Sequence, residues 1–491
     1  MRRAELLRRQ YAYILCHTCQ ALSLCGGLML VPLICCVFWP KEAGEAWAFL
    51  LPAAVLLSVG ALGWRWLRQA RYQQLSIQDG GVIILLTWSA ASLAGAVPFM
   101  GASTRLSFSH AVFECVSGLS TTGLTLVDVT RASHAILLWR SLLQLAGGAG
   151  LAILMVATLI GPSNPAVSAA EGRSQLVPHV RRSARLVLIL YSGYVAIGIV
   201  GYLVVGLNPF DAVAHTFAAV ATGGFSTYPD SIGHWDSAAV EALTLLLMVL
   251  GNLNFVTAWI LIKGDFRAFF RNGEIRLLFI LILSAGLLLL FVTTRGAYAG
   301  VSRACRVAVF ESVSALTGTG FTMIDYTGWN PFGFLVITLL MLVGGGACST
   351  SGALKQLRVY VLIKSVFWEV RKALLPSRAV VSSSMWEGDR AVEIGDARLR
   401  SISVYAFLYL TMWLLGALVL TAHGNGVGES LFEYASALGT VGLSRGITNP
   451  GAPGLVIWTE TAGMFLGRLE FFVVFSGLTK LVRDAHRMLA R

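Results

Sequence analysis

The chain has 491 residues, 56% hydrophobic and only 13% charged. A soluble globular protein carries about 25% charged residues, so this composition excludes a water-exposed globule and points to a polytopic membrane protein. The net charge of +12 reads as basic cytoplasmic loops under the positive-inside rule, and no nucleic-acid partner is expected.

Taken in order, the first span runs over about 12–39 and follows Arg2, Arg3, Arg8 and Arg9. No small-residue cleavage site ends it, so it is expected to be retained. The second span, about 46–63, ends at Arg65, Arg68 and Arg71; the third is about 79–100. A shorter mixed segment, 107–119, leads to a glycine loop, and a long helix follows at about 135–162. A basic stretch with Arg173, Arg181, Arg182 and Arg185 closes the unit.

The order of span, short helix, loop and span then recurs. Its second copy uses 186–207, 209–221 and 238–262, closing at Lys263, Arg267, Arg271 and Arg276. The third uses 277–293, 302–316 and a span from about 331, closing at Lys355, Arg358, Lys364, Arg371, Lys372 and Arg378. The fourth follows a polar insertion at about 383–400 and uses 401–422, 428–438 and 455–480, closing at Lys480, Arg483, Arg487 and Arg491. These basic clusters put both termini in the cytoplasm and the glycine loops on the outer side. Arg295, Arg303 and Arg306 are exceptions on the outer side. The expected fold is all-α: ten spans and four re-entrant helices, as two N-terminal helices plus four repeats around a central pore. The expected divisions are 1–75, 76–175, 176–275, 276–382 and 383–491.

Eight cysteines lie in or beside apolar segments without disulfide-framework spacing. Cys16-His17-Thr18-Cys19 has CxxC form but no second pair nearby, and is read as packing.

The repeat can be tested by position. The loops align as Thr121-Thr122-Gly123, Thr222-Gly223-Gly224, Gly318-Thr319-Gly320 and Thr440-Val441-Gly442. Nine residues before each last glycine stand Glu114, His215, Glu311 and Glu433. Copies one, three and four share Phe-Glu-x-x-Ser-x-Leu, and copy two replaces the glutamate with histidine. Glycines 147, 251, 344 and 467 follow at nearly constant distance.

Non-helical backbone at membrane depth is tolerated where protein buries it or a water-filled cavity borders it. Four such loops meeting at an axis satisfy that condition. The partly negative C-terminal end of each short helix favours a cation there, and loop carbonyls can replace the ion's hydration shell. Thr121, Thr122, Gly123, Thr222, Gly223, Gly224, Gly318, Thr319, Gly320, Thr440, Val441 and Gly442 are the candidate ion-binding residues. Glu114, His215, Glu311 and Glu433 are expected to brace the loops. Asp128 and Asp325 either draw cations to the mouth or cap the next helix.

Gly344, Gly345, Gly346, Ser349, Thr350, Ser351 and Gly352 interrupt the last span of copy three. So many small residues should break a helix, and a break beside the pathway can act as a constriction. Arg468 lies within an apolar span. It is either an electrostatic barrier below the filter or half of an ion pair with Glu470 or a pore-helix glutamate.

In combination, the four loops, their pore helices, Gly-Gly-Gly-x-x-Ser-Thr-Ser-Gly and Gly-Arg-Leu-Glu resemble the Trk/Ktr/HKT cation transporter superfamily. The two extra N-terminal spans make the chain most similar to its TrkH branch, the potassium uptake subunits of bacteria. The resemblance implies gated, channel-like potassium uptake across the cytoplasmic (inner) membrane, with K⁺ held at the filter and Rb⁺ or Na⁺ as further candidates. It also implies a homodimer with one pore per subunit and a cytoplasmic, nucleotide-binding partner of the TrkA type. The Gly344–Gly352 stretch would be the gating loop, with Arg468 across the pore. In this superfamily glycine at all four filter positions goes with potassium, and serine at the first with sodium preference. Gly318 stands where the other copies have threonine, a departure expected to loosen selectivity.

A symporter coupling K⁺ to H⁺ or Na⁺ is the alternative; it predicts paired intramembrane carboxylates, and the sequence offers none beyond Glu470 and the pore-helix acids. A membrane-embedded enzyme is a third class, but no H-E-x-x-H motif is present, and the G-x-S-x-G match at Gly442–Gly446 falls within the fourth glycine loop of the repeat, which explains it better than a nucleophile elbow. No enzymatic activity and no organic cofactor are expected.

Overall fold

A computed structural model describes residues 2–68, 76–101, 103–149, 180–326, 328–347, 349–376, 383–387 and 390–489. The expected helix over 150–162, the basic residues Arg71, Arg173, Arg378 and Arg491, and Cys348 lie outside them.

The chain is almost entirely helical. Helices α1 (Arg2–Leu28) and α2 (Ala46–Leu67) form the N-terminal pair. They approach closely because α2 has glycines on the shared face: a Cβ on Gly63 would lie 2.4 Å from Cys19 Sγ, and one on Gly60 would collide with Ser23 Oγ. Small residues permit such contact in membranes. The CxxC cysteine at 19 thus sits in a helix-packing seam.

Repeat one comprises α3 (Ile77–Ala96), the pore helix α4 (Phe108–Leu119) and α5 (His134–Ala149). Repeat two comprises α6 (Val180–Val204), the pore helix α7 (Pro209–Val220), α8 (Ala238–Asn252) and α9 (Phe255–Ile262). Repeat three comprises α10 (Gly273–Leu289), the pore helix α11 (Val301–Thr317), α12 (Pro331–Val343) and α13 (Gln356–Leu374). Repeat four comprises α14 (Asp396–Ala422), the pore helix α15 (Val427–Gly439), α16 (Gly454–Leu469) and α17 (Phe471–Leu489). The polar insertion forms an antiparallel hairpin, β1 (Ser384–Glu387) with β2 (Arg390–Glu393), and pairs Ser384 with Glu393. Met385 and Ile394 at this hairpin pack with Val361 of α13 and Ile402 of α14.

Six described helical stretches are long and apolar enough to cross a membrane, and α8 with α9 makes a seventh, bent by 116°. The expected single spans at 238–262 and 455–480 are therefore corrected to broken ones. In repeat two, Asn254 leaves the helical path and its side chain accepts from Val256 N–H, which starts α9 afresh. In repeat four, Glu470 adopts φ +60° between α16 and α17, a conformation L residues resist. The break expected within repeat three separates α12 from α13.

The repeats close on themselves. Helix α5 packs on α7, α8 on α11, α12 on α15, and α16 returns to α4. Each pore helix is thus held by the preceding repeat as well as its own. At the far end, buried Lys480 lies 3.3 Å from Asp79 and 2.7 Å from Asp484. Tyr11 donates to Asp484 at 3.2 Å. This cluster ties α1 and α3 to α17.

Arg303 and Arg306, the basic exceptions, meet Asp236, and Arg306 also reaches Glu241 at 3.5 Å. Local acids thus compensate these two arginines.

Candidate ion pathway

Each pore helix ends in the same way. Thr122, Gly223, Thr319 and Val441 donate their N–H five residues back, to the carbonyls of Ser117, Ala218, Ser314 and Ser436, at 2.8–3.0 Å. Thr121, Thr222, Gly318 and Thr440 donate three residues back. This is a Schellman ending, which needs a left-handed residue that is usually glycine. Gly318 supplies it at φ +70°, whereas Thr121, Thr222 and Thr440 adopt φ 57°, 51° and 53°. A β-branched residue there is strained. The departure at Gly318 therefore leaves the backbone of the third loop like that of the others.

The next glycines form a ring. A Cβ on Gly123 would lie 2.3 Å from the Gly223 carbonyl oxygen, and one on Gly224 2.2 Å from that of Thr319. One on Gly320 would lie 1.7 Å from that of Val441, and one on Gly442 2.2 Å from that of Thr122. All four glycines have φ between +74° and +99°. Every loop thus abuts the next, in chain order, with the closeness that only glycine permits.

The bracing residues act on one equivalent atom per repeat. Glu114 accepts from Thr125 Oγ1 at 2.8 Å, Glu311 from Thr322 Oγ1 at 3.0 Å and Glu433 from Ser444 Oγ at 2.6 Å. These glutamates also accept backbone N–H groups of Leu126, Met323 and Arg445 at 2.8–2.9 Å. His215 takes the same place: Nδ1 faces the Asp211 carbonyl at 2.9 Å and must carry the hydrogen, so Nε2 accepts from Ser226 Oγ at 3.0 Å. A neutral ring nitrogen thereby replaces a carboxylate oxygen.

Three further residues complete this shell. Arg140, 2% exposed, places Nε 2.9 Å from Glu114 Oε1 and reaches the Ser226 carbonyl in repeat two at 2.9 Å. Gln144 donates to the Gly223 carbonyl at 2.6 Å and accepts Phe225 N–H at 3.2 Å. A Cβ on Gly223 would lie 2.4 Å from Gln144 Cδ, so Gln144 occupies the space that a side chain fills at Thr122, Thr319 and Val441. Glu460 on α16 is fully buried beside Thr448. Sequence reading missed all three. Polarity inside apolar helices was the available signal, as it was for Arg468.

Outside the ring lies a cavity of about 420 Å³, bordered by the four glycines, Asp128 and Asp325. Asp128 accepts from Thr130 N–H and Oγ1 at 3.1 and 2.6 Å, forming a local turn. These hydrogen bonds hold its carboxyl below the usual range, so it is ionised at the mouth.

Inside the ring lies the loop from Gly344 to Gly352. Thr350 Oγ1 is 2.8 Å from Thr222 Oγ1 and donates to the Gly251 carbonyl at 3.1 Å. A Cβ on Gly318 would lie 2.5 Å from Ser351 Oγ, and one on Gly352 2.4 Å from Thr440 Oγ1. The small residue at 318 is what admits Ser351. Gly346 N–H donates to Asn252 Oδ1 at 3.1 Å, and Ser351 Oγ accepts Gly345 N–H at 3.2 Å. Ser349 Oγ bonds the Gly346 carbonyl at 2.7 Å. Thr121 Oγ1 of repeat one lies 3.4 Å from the Thr350 carbonyl, so the loop touches all four repeats beneath the ring. Arg468 donates to the carbonyls of Thr350 and Gly147. Glu470, one of the alternative partners named for Arg468, is gripped by Arg358 at 3.0 and 2.8 Å.

The family model described as TrkH, a cation transport protein, matches residues 47–481. The chain is 32% identical to the Trk system potassium uptake protein TrkH of Halomonas elongata, over 87% of this chain and 90% of that protein. It is 28% identical to the protein of the same name from Escherichia coli K12, over 91% and 94%. The crystal structure of the potassium transporter TrkH from Vibrio parahaemolyticus superposes with a TM-score of 0.82 at 26% identity, covering 96% of this chain and 98% of that one.

Proposed function

The chain belongs to the TrkH family of cation transport proteins, and from that premise we propose that it takes up potassium across the bacterial cytoplasmic membrane through a gated, channel-like pathway. One observation carries this reading: the four filter glycines each abut the next loop's carbonyl, in cyclic order. Such a ring offers carbonyl oxygens from four directions to a dehydrated cation. The pore-helix ends add a partial negative charge at the same point. The ionised Asp128 at the mouth raises the local cation concentration.

The loop from Gly344 to Gly352 is the gate in this reading. Its contacts with Thr222, Thr440 and Arg468 hold it beneath the filter, and conduction requires their release. The kinship also brings a homodimer and a cytoplasmic nucleotide-binding partner of the TrkA type into the proposal. Helix α13 supports a further interface, since Val366 and Phe367 are 63% and 67% exposed on an element that also carries Arg371 and Lys372. Both termini are assigned to the cytoplasm on the basic clusters.

The test is ion flux through purified protein in liposomes, with K⁺, Rb⁺, Na⁺ and Li⁺ offered in turn. Potassium and rubidium should pass well ahead of lithium. Equal potassium and lithium flux sinks the filter assignment.

A further inference from the structure

The acids behind the loops are not matched alike. Behind loop one, Glu114 faces the buried cation Arg140. On the helix that follows loop four, the residue brought toward Glu433 is another acid, Glu460.

Glu460 is 0% exposed, and its Oε1 is buried without a hydrogen-bond partner. Its Oε2 lies 3.1 Å from Thr448 Oγ1, and that hydroxyl lies 2.7 Å from Glu433 Oε1. A threonine hydroxyl has one hydrogen. It can donate to one carboxylate, and its contact with the other then needs a hydrogen from the carboxyl side. Glu433 already accepts from Ser444 Oγ at 2.6 Å, Thr448 N–H at 3.0 Å and Arg445 N–H at 2.8 Å, a donor set suited to an ionised carboxylate. The hydrogen count therefore places a proton on Glu460 Oε2, donating to Thr448, while Thr448 donates to Glu433. Two like charges so close in a dry site would both be disfavoured.

We propose that Glu460 and Glu433, bridged by Thr448, form a proton-binding site behind the fourth loop, with the proton resident on Glu460. Release breaks the Glu460 O–H bond, leaves a second carboxylate and delivers H⁺ to water. That second charge would act on Glu433 and, through Ser444, on the loop that carries Gly442. By linkage, proton release and cation occupancy of the filter then favour one another. This coupling rests on the filter reading above; the proton site does not.

Infrared spectroscopy of the full chain purified in lipid tests it. The wild type should show a protonated-carboxyl band, shifted by D₂O, that Glu460→Gln removes. Thr448→Val keeps both acids but removes the bridge, so the band should move to the frequency of a carboxyl with no hydrogen bond. A band that persists in Glu460→Gln overturns the proposal, as does one that stays unshifted in Thr448→Val. Should Glu460→Gln fail to fold, Thr448→Val decides alone. A wild type that shows the band but conducts no potassium refutes the uptake reading and supports the proton site.

Discussion

A Cβ on Gly442 would lie 2.2 Å from the carbonyl oxygen of Thr122, so the last loop closes directly onto the first. The pore is thereby completed within one chain. Each glycine of the ring meets both a steric limit and a left-handed backbone, and a substitution at any of them violates both.

Gly123→Ser tests this at the first position. Its Cβ would fall 2.3 Å from the Gly223 carbonyl at φ +99°, and the carbonyl must turn away. Sodium uptake relative to potassium should rise at least about tenfold, which corresponds to about 1.4 kcal/mol of lost discrimination. Paired ²²Na⁺ and ⁸⁶Rb⁺ uptake reads it. Unaltered selectivity removes Gly123 from the ring.

Arg468→Ala should free the loop from Gly344 to Gly352, the proposed gate. Two donations, to Thr350 and Gly147, disappear together, so basal flux in liposomes should increase while ion preference stays put. A drop in folded yield with unchanged flux per molecule would instead make Arg468 a structural strut.

Arg140→Met leaves Glu114 buried opposite an apolar side chain. Removing one partner of a buried pair costs about 3 kcal/mol or more, so the melting temperature should fall clearly. The double variant Arg140→Met with Glu114→Gln should recover part of that loss, because no uncompensated charge remains. Additive losses would argue against the pair.

Gly223→Thr should be poorly tolerated, since its Cβ would meet Gln144 Cδ at 2.4 Å. Adding Gln144→Ala makes room for the threonine side chain seen in other repeats. Potassium uptake by the double variant should exceed that of Gly223→Thr alone. If it does not, Gln144 is not the reason for the glycine.

The clasp of Lys480, Asp484, Asp79 and Tyr11 should be acid-sensitive. Burial works to raise the Asp484 carboxyl, but the hydrogen bond and charge of Lys480, with the hydrogen bond from Tyr11, outweigh it and hold the group below the usual aspartate range. A depressed carboxylate stabilises the fold above its unfolded value and loses that contribution as pH falls through the folded one. The melting temperature should therefore drop below about pH 4, and Asp484→Asn should flatten that part of the profile. A parallel profile in the variant would place the acid sensitivity elsewhere.

Much of the architecture was legible in the chain because it is local. Apolar runs mark spans, and a repeat of Phe-Glu-x-x-Ser-x-Leu marks the pore helices. The loop glycines could be aligned for the same reason: each loop carries its own left-handed ending. The partners of Arg468 and Glu470 were not legible, because each lies in another repeat, and that of Gly318 was not, because it lies 33 residues on in the same repeat, where no local pattern names it. Arg358 rather than Arg468 grips Glu470, and Ser351 explains the glycine at 318. Gln144 fills the space of a side chain that its neighbouring repeat lacks at Gly223. The pattern of elements followed from hydrophobicity and periodicity along one strand of sequence. Which polar group meets which was decided only when four repeats closed into a ring and buried those groups together, where each had to find a partner or hold a proton.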